Sequence, residues 1–116
     1  MAKRVSEASS LTETQLEALL LYRRVKSGEL TLKQAAAVRE PEPTTVGAFY
    51  HTVSEAKQNM RQAIMALAAG IWLGYVSQAD LRRLFDQLAN TPSAFDDPRA
   101  EAMFPVLEAL AQKIVQ

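Results

Sequence analysis

The sequence predicts an all-α protein, and three observations carry that expectation. Ala, Leu, Gln, Glu, Arg and Lys, the residues that favour helices, dominate a chain with only four glycines and five prolines. Helix-opening pairs recur at one spacing: Thr12 with Gln15, Thr31 with Gln34 and Ser77 with Asp80, each a cap followed three residues later by the partner of a capping box. Between these signals the apolar residues follow a period of three to four rather than the alternation of a strand.

The chain of 116 residues, 48% of them hydrophobic, is long enough to bury a core. Cysteine is absent, which excludes disulfides and thiolate metal sites, and a single histidine, His51, excludes a histidine metal site. No metal or other cofactor is therefore expected. No nucleophile, base and orienting group stand together in the pattern, so an enzyme is not expected either. Residues 1–10 are polar and lack the apolar run of a secretory signal, which makes the cytoplasm the expected compartment.

These first ten residues read as a flexible arm carrying Lys3 and Arg4. The first helix is expected from the Thr12 cap to about Ser27, with Leu11 and Leu16 as a hydrophobic staple. Leu16, Leu19 and Leu20 form its apolar face, Arg23, Arg24 and Lys26 suit its C-terminal dipole, and Gly28 serves as a left-handed C′ residue. A second, short helix is expected at 32–39, stopped by Pro41, which disfavours helical geometry at Glu40. A third starts after the stiff Pro41, Glu42, Pro43 turn and, with no proline before Pro92, runs to about Leu73. A fourth opens at Ser77, shows Leu81, Leu84, Phe85 and Leu88 on one face, and ends near Asn90. Met103, Val106, Leu107, Leu110 and Ile114 mark the last helix, whose start is expected at Pro105 because a proline disfavours helix at the preceding Phe104.

The stretch 64–76, IMALAAGIWLGYV, is apolar almost all round, and no charge occurs between Arg61 and Asp80. It is too short to span a bilayer, so no membrane insertion is expected; it should be buried within the fold or in the seam of a homodimer through residues 64–116. Ala66, Gly70 and Gly74, four residues apart, would let another helix approach closely.

A supporting helix, a glycine turn, a short alanine-rich helix, a stiff turn and a third helix make the order of a helix-turn-helix unit. In that motif a small residue of the second helix packs on a β-branched residue ten positions later; Ala36 and Val46 stand ten apart, and Phe49, three residues on, fills the next core position. Through Leu11, Thr12 and Gln15, through LTLKQAA at 30–36, and through Thr45 and Val46, the segment 11–64 resembles sigma-factor region four and related archaeal Tfx-type and response-regulator helix-turn-helix domains. The resemblance covers a little under half of the chain. It implies binding of double-stranded DNA in transcription regulation, with the third helix in the major groove, and a helical extension at 65–116 that completes the core or dimerises.

With Val46 turned inward, the third helix directs Thr44, Gly47, Ala48, His51 and Glu55 outward. Thr44 and His51 are the candidates for base edges and Ala48 for a thymine methyl group, Thr45 heads the reading helix, and Lys33, Arg39, Lys57 and Arg61, together with Arg23, Arg24 and the Lys3/Arg4 arm, are the candidate phosphate ligands. Charge supports this only locally: residues 13–64 hold seven basic and six acidic side chains, residues 77–116 four and six, and the formal net charge is zero. Zero net charge and a reading face with few polar side chains motivate the alternative of a non-enzymatic interaction module, built on the same scaffold, with a protein partner in the transcription or replication machinery.

Overall fold

The computed structural model describes residues 2–39, 42–90 and 97–115. It is all-helical: α1 is Ala2–Ala8, α2 Glu13–Lys26, α3 Leu32–Val38, α4 Val46–Leu73, α5 Gln78–Ala89 and α6 Pro98–Ile114, with no strand among the described residues. The chain divides into two compact units, at residues 2–63 and from 64 onward, and α4 contributes turns to both.

In the first unit the two threonine boxes close as the sequence predicts. Thr12 Oγ1 accepts the Gln15 amide at 3.1 Å while Gln15 Oε1 accepts the Thr12 amide at 3.1 Å; Thr31 and Gln34 repeat the exchange at 3.1 and 2.9 Å. Each pair satisfies amides that a helix start leaves orphaned, a contribution of about 1 kcal/mol per cap. Gly28, at φ 82°, ends α2 in the left-handed conformation, and the Glu29 amide returns to the Arg24 carbonyl at 2.9 Å. Arg39 stands extended at the end of α3. The expected stiff turn begins at Glu40 and Pro41, which lie outside the described residues. Beyond it the Thr44 amide donates to the Ala36 carbonyl at 2.9 Å, and Thr45 Oγ1 accepts the Ala48 amide at 3.1 Å to open α4.

Ala18 and Leu21 of α2, Ala35 and Ala36 of α3, and Phe49 and Val53 of α4 form the core. The expected partner of Ala36 is not in it: Val46 is 40% exposed, and Phe49, one turn later on the same face, is fully buried. Position explains the exchange. Val46 occupies the open first turn of α4, and two adjacent alanines leave room for a phenyl ring rather than an isopropyl group.

The expected flexible arm is instead largely α1, which packs on α2 with Arg4, Val5 and Ser6 half-buried. Seven residues are too few to hold a helix alone, so this packing is what sustains it. A polar clamp also escapes sequence reading. Asn59 Nδ2 donates to the buried Gln15 Oε1 at 3.0 Å, tying α4 to the start of α2.

In the second unit α5 packs on α6, with Leu81, Ala100, Phe104 and Ile114 buried. Ser77 Oγ accepts the Asp80 amide at 3.3 Å, but the other half of the predicted box is replaced. The Ser77 amide donates to the Ile114 carbonyl at 2.8 Å, beside an antiparallel bridge between Val76 and Val115. The buried Asp80 carboxylate turns to Arg83 at 3.2 Å and Lys113 at 3.7 Å.

The expected break at Pro105 is absent, because α6 runs unbroken from Pro98. A proline inside a helix costs about 3 kcal/mol. Burial of Phe104 and Ile114 on either side of it, at about 1.5–3 kcal/mol each, offsets that cost.

Asp97 caps α6, accepting the Arg99 amide at 2.8 Å and its guanidinium at 3.1 and 3.3 Å. Those hydrogen bonds hold the carboxyl below its ordinary value. A carboxyl lowered by folding stabilises the fold above its unfolded-state value and loses that contribution as the pH falls through the folded one. Acidification from about pH 5 downward, through the usual carboxylate range near 4, is thus expected to fray the first turn of α6. The Arg99 amide should lose exchange protection first, and Asp97→Asn should shrink that dependence on pH.

Residues 64–76 depart most from expectation. Ile64, Met65, Trp72, Leu73 and Tyr75 are 65, 67, 89, 69 and 60% exposed, left uncovered among the described residues. Gly70 and Gly74 have local duties instead: a Cβ on Gly70 would meet Val76 Cγ2 at 2.6 Å, and Gly74 takes φ 84° to turn the chain after α4. No helix of the described residues is long and apolar enough to cross a membrane.

Candidate nucleic-acid interface

The candidate surface lies at the α3–α4 corner of the first unit. Burying Phe49, Val53 and Ala56 fixes the rotation of α4, and Gly47, Ala48, His51 and Glu55 on the other side are all exposed. Five of the predicted residues follow one another around this corner. Arg39 ends α3 and donates from Nε to the Glu42 carbonyl at 3.3 Å; Thr44 and Thr45 form the lead-in; Ala48 and His51 occupy the first two turns of α4. Lys33 projects from the first turn of α3 and is exposed.

Thr45 stands at the head of α4, where its hydroxyl oxygen accepts the Ala48 amide and caps the helix. Thr44 is half-buried, its amide committed to Ala36. His51 Nε2 lies 2.6 Å from Glu55 Oε1, which places a carboxylate on the outward face as well. Such a group can accept from a cytosine amine but repels phosphate. With the Ala48 amide taken by Thr45 Oγ1, the Val46 and Gly47 amides are the opening amides of α4 without an intrahelical acceptor, and they lie at the positive end of the helix dipole. Gly47 has open space where a Cβ would stand, so the backbone is accessible there.

Lys57 and Arg61 are not brought to this corner. At about 100° per residue, Lys57 lies roughly 120° around α4 from His51. Its Nζ sits 4.7 Å from the centroid of Tyr22, which Lys26 Nζ also approaches, at 5.7 Å. Tyr50 meets the same ring edge-on at 6.3 Å. Together with Leu19, Arg23, Ser27 and Met60 these two lysines and Tyr22 line an open groove of about 720 Å³ between α2 and α4. Arg61, roughly 15 Å along the axis from His51, donates to Gln58 Oε1 at 3.5 Å.

Sequence reasoning overlooked Gln58, exposed one turn beyond Glu55 on the outward side and able to both donate and accept. The spacing 48, 51, 55, 58 was the available signal. The Tyr22 groove joins residues 19–27 to 57–60 and had no local signature. Among the described residues no cluster of His, Asp and Glu is placed to hold a metal ion. No protein-family model, curated protein or solved structure matches the chain.

Proposed function

We propose that the chain is a DNA-binding transcriptional regulator that sets the first turns of α4 into the major groove. One observation carries this reading: Phe49 is buried in one cluster with Ala35 and Ala36, which turns Ala48 and His51 outward on the unit whose α3 exposes Lys33 and ends at Arg39. Lys33 and Arg39 contact phosphates on either side of the groove, and the open amides at the start of α4 hold a third. Thr44 and His51 reach base edges and Ala48 packs on a thymine methyl group. Lys57 belongs to the Tyr22 groove and takes no part. With so few hydrogen-bonding readers, sequence preference is modest and the phosphate contribution dominates.

Electrophoretic retardation of duplex DNA across a salt series tests the proposal. The chain should retard DNA at low salt, with log affinity falling linearly in log salt. Lys33→Ala with Arg39→Ala should weaken binding on the order of tenfold or more and lower the salt slope by about two. Lys57→Ala should leave both nearly unchanged. Failure of the native chain to retard DNA at low salt contradicts the proposal, and a stoichiometric protein partner captured without DNA would support the interaction-module alternative.

A further inference from the structure

We infer that the uncovered face of α4 between Met65 and Trp72 is the seam of a homodimer in which the two copies of this helix run antiparallel. Met65, Ala68, Ala69 and Trp72 fall at i, i+3, i+4 and i+7, which makes one stripe along the helix, and all four are exposed. Leu67, Gly70 and Ile71, half-buried, occupy the other side and serve the chain's own packing. Trp72, at 89% exposure, is almost without intrachain cover.

The stripe is complementary to itself in one orientation. Its midpoint lies between Ala68 and Ala69, so an antiparallel two-fold axis there sets Met65 of each copy against Trp72 of the other. Two sulfur–aromatic contacts result, with alanine on alanine at the centre, where small side chains let the helices approach to about 8 Å. Ile64 and Leu73, on the two flanks of the stripe, extend the contact symmetrically. A parallel pair would stack Trp72 on Trp72 and Met65 on Met65 and lose that fit. The absence of charge from 62 to 79 removes like-charge repulsion from the pairing.

The area is sufficient. At about 200 Å² for each large side chain, the exposed fractions of Ile64, Met65, Trp72 and Leu73 amount to roughly 600 Å² on one copy. Two copies reach roughly 1,200 Å², at the lower end of the range of stable interfaces, and the patch on one copy is as large as the largest that monomers ordinarily leave open. The small-residue spacing at Ala66, Gly70 and Gly74 is not the seam, because Val76 already fills the space above Gly70.

This pairing does not depend on DNA, so its test is independent of the proposed function. Sedimentation equilibrium of the full chain without DNA should give twice the 12.8 kDa chain mass. Trp72→Glu should raise the dimer dissociation constant on the order of 100-fold or more and give the monomer mass with an unchanged helical circular dichroism spectrum, since an exposed side chain is being replaced. A monomeric native chain, or a Trp72→Glu chain that stays dimeric, overturns the inference. Orientation is tested with cysteines, of which the native chain has none. Oxidising a mixture of Met65→Cys and Trp72→Cys chains should cross-link them to each other. Trp72→Cys alone should not cross-link, because its two copies stand about 10 Å apart along the axis. Cross-linking of Trp72→Cys with itself would show a parallel seam and overturn the proposed geometry.

Discussion

Phe49→Ala is expected to lower the unfolding free energy of the unit at residues 2–63 by about 3–5 kcal/mol. The phenyl ring is fully buried and joins α2, α3 and α4 in one cluster, so truncation leaves a cavity walled by Ala18, Ala35 and Ala36. Alanines cannot repack into the space, which places the loss at the upper end of such substitutions. A unit of this size has on the order of 3–9 kcal/mol in total. Most of its stability should therefore go, and retardation of DNA with it. Urea denaturation followed by circular dichroism measures the loss. Val46→Ala, at the position the helix-turn-helix spacing singles out, should cost less than about 1 kcal/mol, because Val46 is already 40% exposed. Equal losses for the two would contradict the assignment of Phe49 as the corner's anchor.

Gly70→Ala should destabilise the second unit by about 1–2 kcal/mol, against the helix scale, on which alanine gains about 1 kcal/mol over glycine. The new Cβ would fall 2.6 Å from Val76 Cγ2. Val76 cannot easily retreat: it is β-branched, its amide donates to the Gly70 carbonyl at 3.2 Å, and it is bridged to Val115. A lower thermal midpoint, with lost exchange protection at the Ser77 amide that reaches Ile114, is the expected record. A raised midpoint would show that helix propensity prevails and that the turn is looser than described.

Local signals in the sequence were the legible part. Thr12, Thr31 and Ser77 open helices, Gly28 ends one, and Leu73 closes the long helix, because caps, left-handed glycines and prolines act on their immediate neighbours. Judgements that depended on tertiary balance went differently. Pro105 should break a helix by local rules, yet Phe104 and Ile114 are buried along one continuous α6. Residues 2–8 have too little local preference to be read as helix, and α2 supplies the rest. The Asp80 box failed for a similar reason: the Ser77 amide found the Ile114 carbonyl, far away in sequence.

At the candidate site the outward set of Ala48, His51 and Glu55 followed from helical period alone. Of the two core positions that the motif marks, Phe49 is buried with the alanines while Val46 is left 40% exposed, since a spacing does not say how far the open first turn of α4 is covered. Lys57 was placed by charge, whereas the structure places it by its attraction to Tyr22, a residue 35 positions earlier that no local pattern connects to it.

The proposed function requires that the α3–α4 corner, rather than the basic groove beside Tyr22, docks on DNA. Titration of a duplex into the isotopically labelled full chain at low salt, followed by amide chemical shifts, tests it most directly. Saturable shifts centred on Lys33, Arg39, Thr44, Thr45, Ala48 and His51 that fade as salt is raised are the expected result. Shifts confined to Arg23, Lys26 and Lys57, or none at all, would contradict it.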